Sequence, residues 1–406
     1  MSDGAPRVLI VGISARAMAE SAAATGREVT TIDAFGDLDT ARYARCFATR
    51  RDFGVRYRAD VVATLARRID ADAVAYAGGW ENHPHAVAAL AAGRTLLGNS
   101  PAVLRRVRDP RRVAQTLRRH ALAVPAVRYT APRSARRAAW LIKPRASGGG
   151  ADIRSWSPSQ AVTSDSYLQE RITGVPASIV FAADGERALP LAVTRQLVGD
   201  GAFGARAFRY VGNILAGRHA FDTRFSMESD PIEITDSLPD GSKLFARAAA
   251  LAQIVTEEFG LVGVNGIDFI ANDGVPFPIE VNPRYSASME LVERALGISI
   301  FDLHVRGCTG LFSAADAIMP ATPDGAFGKA VVYARDSVTL GDTTQWLDDA
   351  SVRDIPHPGE RIGRGHPVCT VFARGDDAVS CYAALVRRAE QVYDAIEAAG
   401  AGMIVA

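Results

Sequence analysis

Strand-like and helical segments alternate over the first hundred residues. Arg7–Gly12 is a continuous apolar run that ends in glycine, and the Ala-rich segment 15–25 after it has a helical pattern. Glu28–Asp33 is a second predicted strand, and two more strand–helix repeats follow up to Gly98. Near-continuous apolar runs are typical of buried parallel strands. Residues 1–100 are therefore predicted to form a doubly wound parallel sheet.

The pattern changes after residue 100. An Arg-rich helical stretch runs to His120, after which short strands and turns dominate. Long helices are predicted at about 242–259 and 286–296, and a helix at about 377–398 follows two more strands. We predict a mixed α/β and α+β fold with an N-terminal domain (1–100), a two-lobed domain (101–311, central lobe about 125–175) and a small β-rich C-terminal domain (312–406).

Two strand-like runs beside residue 270 carry oxygen-bearing side chains. Val264–Ile270 and Phe277–Asn282 are joined by the turn residues Ala271-Asn-Asp-Gly274, a pattern that predicts a hairpin. Glu280 and Asn282 lie two residues apart on one strand face, and the hairpin brings Asp268 close to Glu280. Carboxylate and amide oxygens suit Mg²⁺ bound to phosphates. The alternative is a half-buried hairpin with solvated polar faces.

A lysine on an apolar strand precedes a loop of small residues. Trp140–Gly150 places Lys143 before Ser147, Gly148, Gly149 and Gly150. An ammonium neutralises phosphate charge, and backbone N–H groups of a glycine-rich loop close over a terminal phosphate. The spacing is not that of a Walker A loop. A strand that ends in a glycine turn is the alternative.

The N-terminal sheet offers two further candidates. Gly12 and Asp33 stand where a dinucleotide-binding domain has its turn and ribose carboxylate, but Gly12 is only one of three glycines required. Glu81 and Asn82 follow another strand, where open α/β sheets bind ligands. They are interpreted either as substrate contacts or as a helix cap.

Composition favours a small-molecule substrate. Lys and Arg number 46 against 45 Asp and Glu, so no strong field marks nucleic acid or membrane as a partner. No apolar run approaches the roughly 20 residues of a membrane span, and the N-terminus lacks a signal-peptide pattern. The four scattered cysteines fit a cytoplasmic protein with reduced thiols.

Several segments resemble one family when taken in order. Val8–Arg16, Phe35-Gly-Asp-Leu-Asp39, Gly79-Trp-Glu-Asn82, Gly174–Phe181 and above all Ile279-Glu-Val-Asn-Pro-Arg284 resemble the ATP-grasp superfamily. The arrangement looks most like the ATP-dependent carboligases related to biotin carboxylase. The resemblance covers nearly the whole chain and implies two lobes that hold ATP, with Mg²⁺ (Mn²⁺ as an alternative) bridging its phosphates.

The resemblance also assigns roles by position. It implies that Lys143 binds phosphate, that Ser147–Gly150 close over it, and that Gln169, Glu170 and Ile172 belong to the adenine-binding connector. Glu280 and Asn282 resemble metal ligands with Asp268 as a third, and Arg284 steadies the transferred phosphoryl group. The chain departs from the family at a second phosphate-binding lysine, for which Arg111 or Arg112 is the predicted replacement.

The implied reaction is the ligation of a carboxylate to an amine through an acyl phosphate, with release of ADP and phosphate. The basic positions Arg195, Arg206, Arg209, Arg218 and Arg224 suggest an acidic acceptor such as glutamate or a glutamylated cofactor, or form a solvated face. The resemblance to carboligase-like proteins implies a glutamate ligation step in one-carbon cofactor biosynthesis. Biotin-carboxylase-like carboxylation and non-catalytic nucleotide sensing are the alternatives. Homodimers are common in this architecture, so a homodimer is an open alternative to a monomer.

Overall fold

The N-terminal unit is a five-stranded parallel sheet flanked by helices. The computed structural model describes residues 6–132, 140–216, 241–313 and 324–403. The strand order is β3-β2-β1-β4-β5, with β1 (Arg7–Val11), β2 (Glu28–Asp33), β3 (Arg45–Ala48), β4 (Ala73–Tyr76) and β5 (Thr95–Leu97). The doubly wound sheet is as predicted except for β3, a four-residue strand without a continuous apolar run.

Helices cover both faces of this sheet and lead out of it. They are α1 (Arg16–Ala23), α2 (Thr49–Phe53), α3 (Ala59–Ala66), α4 (Pro84–Leu90), α5 (Pro101–Val107) and α6 (Pro110–Arg119). Pro101 and Pro110 each open a helix, and the side chains of Ser100 and Asp109 accept hydrogen bonds from the first turn. Such capping fixes where α5 ends and α6 begins.

The central lobe is a small antiparallel sheet. Its order is β6-β9-β7-β8, with β6 (Val127–Arg128), β7 (Trp140–Pro144), β8 (Arg154–Ser155) and β9 (Ser166–Glu170). A separate apolar cluster of Ile142, Trp156 and Leu168 forms its core.

An eight-stranded sheet forms the body of the molecule. Its order is β14-β13-β10-β11-β12-β15-β19-β17, with β10 (Val175–Asp184), β11 (Ala188–Val198), β12 (Tyr210–Ala216), β13 (Val262–Asn272), β14 (Val275–Asn282), β15 (Ala326–Tyr333), β17 (Val352–Arg353) and β19 (Pro367–Gly375). β16 (Val338–Thr339) and β18 (Arg361–Ile362) pair separately. The long strands β10 and β11 replace the short ones that the sequence predicted there.

Helices cover the body sheet on both faces. They are α7 (Gly241–Phe259), α8 (Ala287–Leu296), α9 (Ile300–Thr309) and α10 (Ala378–Met403). Apolar residues of α7 pack on β10 and β13, whereas α8 and α9 pack against α1 of the N-terminal unit. The sequence analysis did not predict α9. The described chain contains no helix with the length and apolarity needed to span a bilayer.

The predicted C-terminal unit is continuous with the body sheet. β15 pairs with β12 from Gly212↔Ala330 to Ala216↔Ala326, and β19 pairs with β15. The fold class is therefore confirmed: in the described residues a parallel N-terminal sheet is followed by two larger antiparallel sheets and the small β16–β18 pair. The division near residue 312, which separates strands of one sheet, stays a proposal.

A buried asparagine joins the N-terminal unit to the body sheet. Asn99 is 1% exposed, and its Nδ2 donates to Asn265 Oδ1 (2.8 Å) and to the carbonyls of Pro283 (3.0 Å) and Val262 (3.2 Å). Its Oδ1 accepts the N–H of Val262 at 2.9 Å. One amide thus holds both ends of the β13–β14 hairpin.

Replacement of this amide is expected to destabilise the protein. Asn99→Ala leaves several buried backbone groups unpaired, so we expect the free energy of unfolding to fall by about 3 kcal/mol, measured by urea denaturation. Asn272→Ala, which removes one exposed bond to Thr173, is the control and should change it by less than about 1 kcal/mol. Equal losses in the two variants would contradict the assigned role of Asn99.

Candidate active site

The β13–β14 hairpin places acidic and amide side chains on one face. The turn residues Asp273 (φ 49°) and Gly274 (φ 71°) are both left-handed, as a tight two-residue hairpin loop requires. Asp268 is paired with Glu280 and Gly266 with Asn282, and the register shifts after Asp268. Residues directly opposite in a ladder project to the same side, so the two carboxylates face the same space.

These side chains fit a hard divalent cation. Asp268 accepts hydrogen bonds from Gln196 and Asn282, each at 2.9 Å. Burial, and next the charge of Glu280, raises the pKa of Asp268 to about 6. Two carboxylates that disfavour each other in a poorly solvated cleft are stabilised by a cation between them. Among the described residues no group of three or more His, Cys, Asp or Glu could hold a metal ion. A cation at the hairpin would therefore be held by two carboxylates and one amide.

Arg284 is held by a glutamate of the N-terminal unit. Its Nη2 donates to Glu81 Oε1 at 2.9 Å and to Asn282 Oδ1 at 3.2 Å. Although burial alone raises it, the charge of Arg284 holds the pKa of Glu81 below its usual value. Glu81 is therefore the anion that holds the Arg284 guanidinium in position. From the sequence, Glu81 was expected only to contact substrate or to cap a helix.

Arg108 stands where the sequence analysis placed Arg111 or Arg112. It lies between α5 and α6, and its Nη1 donates to Glu280 Oε1 at 2.7 Å and to the Val281 carbonyl at 2.9 Å. Asn82 Oδ1 accepts from both its Nε and its Nη2. Only 13% of the Arg108 side chain is exposed.

The two predicted arginines point elsewhere. Arg111 is exposed, with its guanidinium carbon 4.5 Å from the centre of the Tyr129 ring, and Arg112 is exposed as well. The cap by Asp109 starts α6 after Arg108 and turns the next residues outward. The Asp109-Pro110 helix start in the sequence was the signal that could have singled out Arg108.

Lys143 reaches across the cleft from the central lobe. It is 4% exposed, and its Nζ donates to Gln169 Oε1 at 3.1 Å and to the Ile279 carbonyl of β14 at 3.3 Å. Gln169 Nε2 donates to the same carbonyl at 3.2 Å. The amide side chain of Gln169 thus orients Lys143, whereas the sequence analysis considered only its backbone.

The glycine loop has one anchored end. The Gly149 carbonyl accepts the N–H of Tyr210 at 3.0 Å, and a Cβ on Gly150 would lie 1.7 Å from the Phe208 carbonyl oxygen. Gly150 also has φ +75°, so only glycine fits there without strain. Ser147 offers its carbonyl to Asn82 and Arg108, while Gly148 is exposed.

The predicted connector borders the same cleft. Glu170 donates its N–H to Ala126 and accepts the Ala126 N–H on its carboxylate, which ends the β9 ladder. Ile172, in the segment after it, lines a cleft of about 1440 Å³ that extends from the connector to the N-terminal sheet. Apolar side chains line this end of the cleft: Leu141, Ile153, Ile172, Ile270 and Ile279.

Other predicted candidates have structural roles or lie apart. Asp33 accepts the N–H groups of Ala15, Phe35 and Gly36, so its oxygens organise the loops and are not available for a ribose.

Of the basic positions, Arg195 is buried, Arg206 is exposed and Arg209 lies over the Tyr333 ring. Arg218 and Arg224 lie outside the described residues.

A family model supports the interpretation of this cleft. The ATP-grasp domain model matches residues 107–240 and 236–288, which include β7, β9 and the hairpin. The chain therefore carries an ATP-grasp domain in this part of its length. The predicted resemblance to the ATP-grasp superfamily is thereby confirmed for these residues.

Known proteins resemble this ATP-grasp chain in part or over its whole fold. A stretch of 96 residues is 30% identical to the carbamoyl phosphate synthase large chain of Neisseria meningitidis, and it spans 24% of this chain but only 8% of that protein. The biotin carboxylase domain of Hydrogenobacter thermophilus 2-oxoglutarate carboxylase, solved with MgADP and bicarbonate, has TM-score 0.64 at 16% identity, covering 92% of this chain and 87% of that one. The L-amino acid ligase of Bacillus licheniformis has TM-score 0.64 at 13% identity, covering 96% and 98%. At these identities the structural likeness shows the fold alone.

Substitution of Arg108 tests which arginine serves the nucleotide. Arg108→Met removes a charge-assisted donor from the cleft, and we expect kcat/KM for ATP to fall by about 30- to 100-fold. The matched variant Arg111→Met should stay within about threefold of the unsubstituted protein. A large loss in Arg111→Met with none in Arg108→Met would restore the assignment made from the sequence.

Proposed function

We propose that this protein is an ATP-dependent carboxylate–amine ligase. One observation carries the proposal: Lys143 of the central lobe faces the hairpin that bears Asp268, Glu280, Asn282 and Arg284 across one cleft. Phosphoryl transfer asks a protein mainly for positioning and charge neutralisation, and these groups supply both. No protein nucleophile is required.

The proposed reaction has two steps. A carboxylate oxygen of the acid attacks the γ-phosphorus of ATP, and the bond to the ADP oxygen breaks. The neutral amine then attacks the acyl carbon, the carbon–oxygen bond to phosphate breaks, and the nitrogen loses a proton to give the amide. ADP and inorganic phosphate leave.

Each residue contributes by charge or position. Lys143 would neutralise phosphate oxygens, and Arg108 would take the place of a second phosphate-binding lysine. Arg284, fixed by Glu81, would hold the transferred phosphoryl group and the acyl-phosphate oxygens. The backbone N–H groups of the Ser147–Gly150 loop would close over the terminal phosphate.

Asp268, Glu280 and Asn282 would hold Mg²⁺. When bound there, the ion supplies charge neutralisation across the ATP phosphates.

The proposal extends to the identity of the acid and amine substrates and to the oligomeric state. Glutamate ligation in one-carbon cofactor biosynthesis, in the cytoplasm, is the candidate pathway step, and the amino acid would supply either the carboxylate or the amine. The Hydrogenobacter biotin carboxylase domain was solved as a dimer. We propose a homodimer for this protein as well.

Turnover with substrate pools tests the reaction class. We expect ADP and phosphate release from Mg²⁺-ATP only when carboxylic acids, glutamate among them, and amines are present together. Release with bicarbonate and biotin alone would replace the proposal by biotin carboxylation. ATP binding without release under any pool would replace it by nucleotide sensing.

A substitution of Glu280 tests the metal centre. Glu280→Gln keeps the shape of the side chain but removes a charged ligand, so we expect turnover to fall by at least about 100-fold while the circular dichroism spectrum is unchanged. Glu257→Gln, on the exposed face of α7, is the control and should keep full activity. Unchanged turnover in Glu280→Gln would refute the metal assignment.

A further inference from the structure

The end of β2 and the loop after it carry three carboxylates, of which two have evident structural partners. Asp33 accepts three backbone N–H groups of its own loop and of the loop after β1. Asp39 accepts the N–H groups of Asp354 and Ile355, which fastens the C-terminal strands to the N-terminal sheet. The third, Asp37, belongs to the Phe35-Gly-Asp-Leu-Asp39 motif. It has no role in the proposed phosphoryl transfer.

Asp37 is buried without a partner for one oxygen. The residue is 7% exposed and lines the cleft, yet its Oδ2 has no hydrogen-bond partner among the described residues. An unpaired carboxylate in such a position is costly, so native proteins pair it or keep it for a function. Asp37 therefore has room for a hydrogen-bond donor that the described residues do not supply.

The charges around Asp37 define what that group must be. After burial, the neighbouring charges of Asp354, Asp33 and Asp39 raise the pKa of Asp37 well above its usual value. Arg16 is the cation that acts on Asp37, but its guanidinium is engaged by Glu290 (2.5 and 2.9 Å), Glu20 (2.8 Å) and Asp354 (2.9 Å). The charges that act most strongly on Asp37 are thus three carboxylates against one arginine, and that arginine is already paired.

We propose that Asp37 recognises the ammonium group of an amine-bearing substrate. The inference deepens the proposed function and rests on it, since the ligase must bind such a substrate in this cleft. The loop lies at the carboxyl end of a parallel strand, where open α/β sheets bind ligands. An ammonium supplies both the missing donor and the missing charge, whereas a carboxylate or an apolar group would leave Asp37 unpaired.

A matched pair of probes tests the site without turnover. Cadaverine and pentanediol have the same length, but only the first carries ammonium groups. With the full chain saturated by MgADP, we expect cadaverine to raise the melting temperature and pentanediol to leave it unchanged. In Asp37→Asn the apparent affinity for cadaverine, measured by calorimetry, should fall by at least about tenfold, as for loss of one charge-assisted pair.

Two controls separate recognition from folding. Asp37→Asn is isosteric and replaces a buried carboxyl group that has an unpaired oxygen, so the melting temperature without added probe should equal or exceed that of the unsubstituted protein. Asp60→Asn removes an exposed carboxylate that pairs with Arg58, and it should bind cadaverine normally. A loss of cadaverine binding in Asp60→Asn as large as in Asp37→Asn would overturn the proposal.

The outcomes distinguish this inference from the proposed reaction. Loss of cadaverine binding in Asp37→Asn supports the site, even where no substrate pool elicits ADP release from the unsubstituted protein. Equal cadaverine binding by Asp37→Asn and the unsubstituted protein overturns the site, even where the pools establish a ligase.

Discussion

Charge compensation across a poorly solvated cleft is the constraint on which the structure depends. Glu280 is paired with Arg108 from the α5–α6 junction, and Glu81 of the N-terminal unit is paired with Arg284. Breaking a buried pair of this kind typically costs about 3–5 kcal/mol, because it leaves a charge without a partner. The pairs therefore fix how the N-terminal unit and the body sheet meet, and they hold in place the two arginines proposed to bind the phosphates.

The body sheet and the central sheet place the charged side chains on opposite sides of the cleft. Its β13–β14 hairpin presents Asp268 and Glu280 on one side, and Lys143 approaches from the separate central sheet. The contact of Lys143 with the Ile279 carbonyl joins the two sheets at the end of the cleft proposed to bind the nucleotide. At the other end the cleft is bordered by the N-terminal loops and by β15 and β19, so the proposed phosphate-binding groups and the proposed ammonium site lie on different walls.

Local patterns in the sequence predicted the parts of the site that local patterns determine. The turn residues at 271–274 and the alternation of Ile279–Asn282 are enough to predict the hairpin and its shared face. Arg108 was missed because its place depends on where α6 begins and on a partner 172 residues away. The burial of Asp37 depends on packing against the C-terminal strands, and no spacing in the motif shows it. The continuity of β15 with β12 rests on pairing between distant segments, which a pass along the chain does not reveal.

The Arg16–Asp354 ion pair has a consequence for how the protein matures. It joins residues 338 positions apart, and Asp354 is also held by Thr370. Such a closure carries a large entropic cost and forms late, whereas N-terminal units can fold first during synthesis. A nascent chain that already contains β1 to β14 would thus have the β13–β14 hairpin and Lys143 but would lack the wall of the cleft that β15 and β19 form. Completion of the last strands is then the step that gives the cleft its second wall.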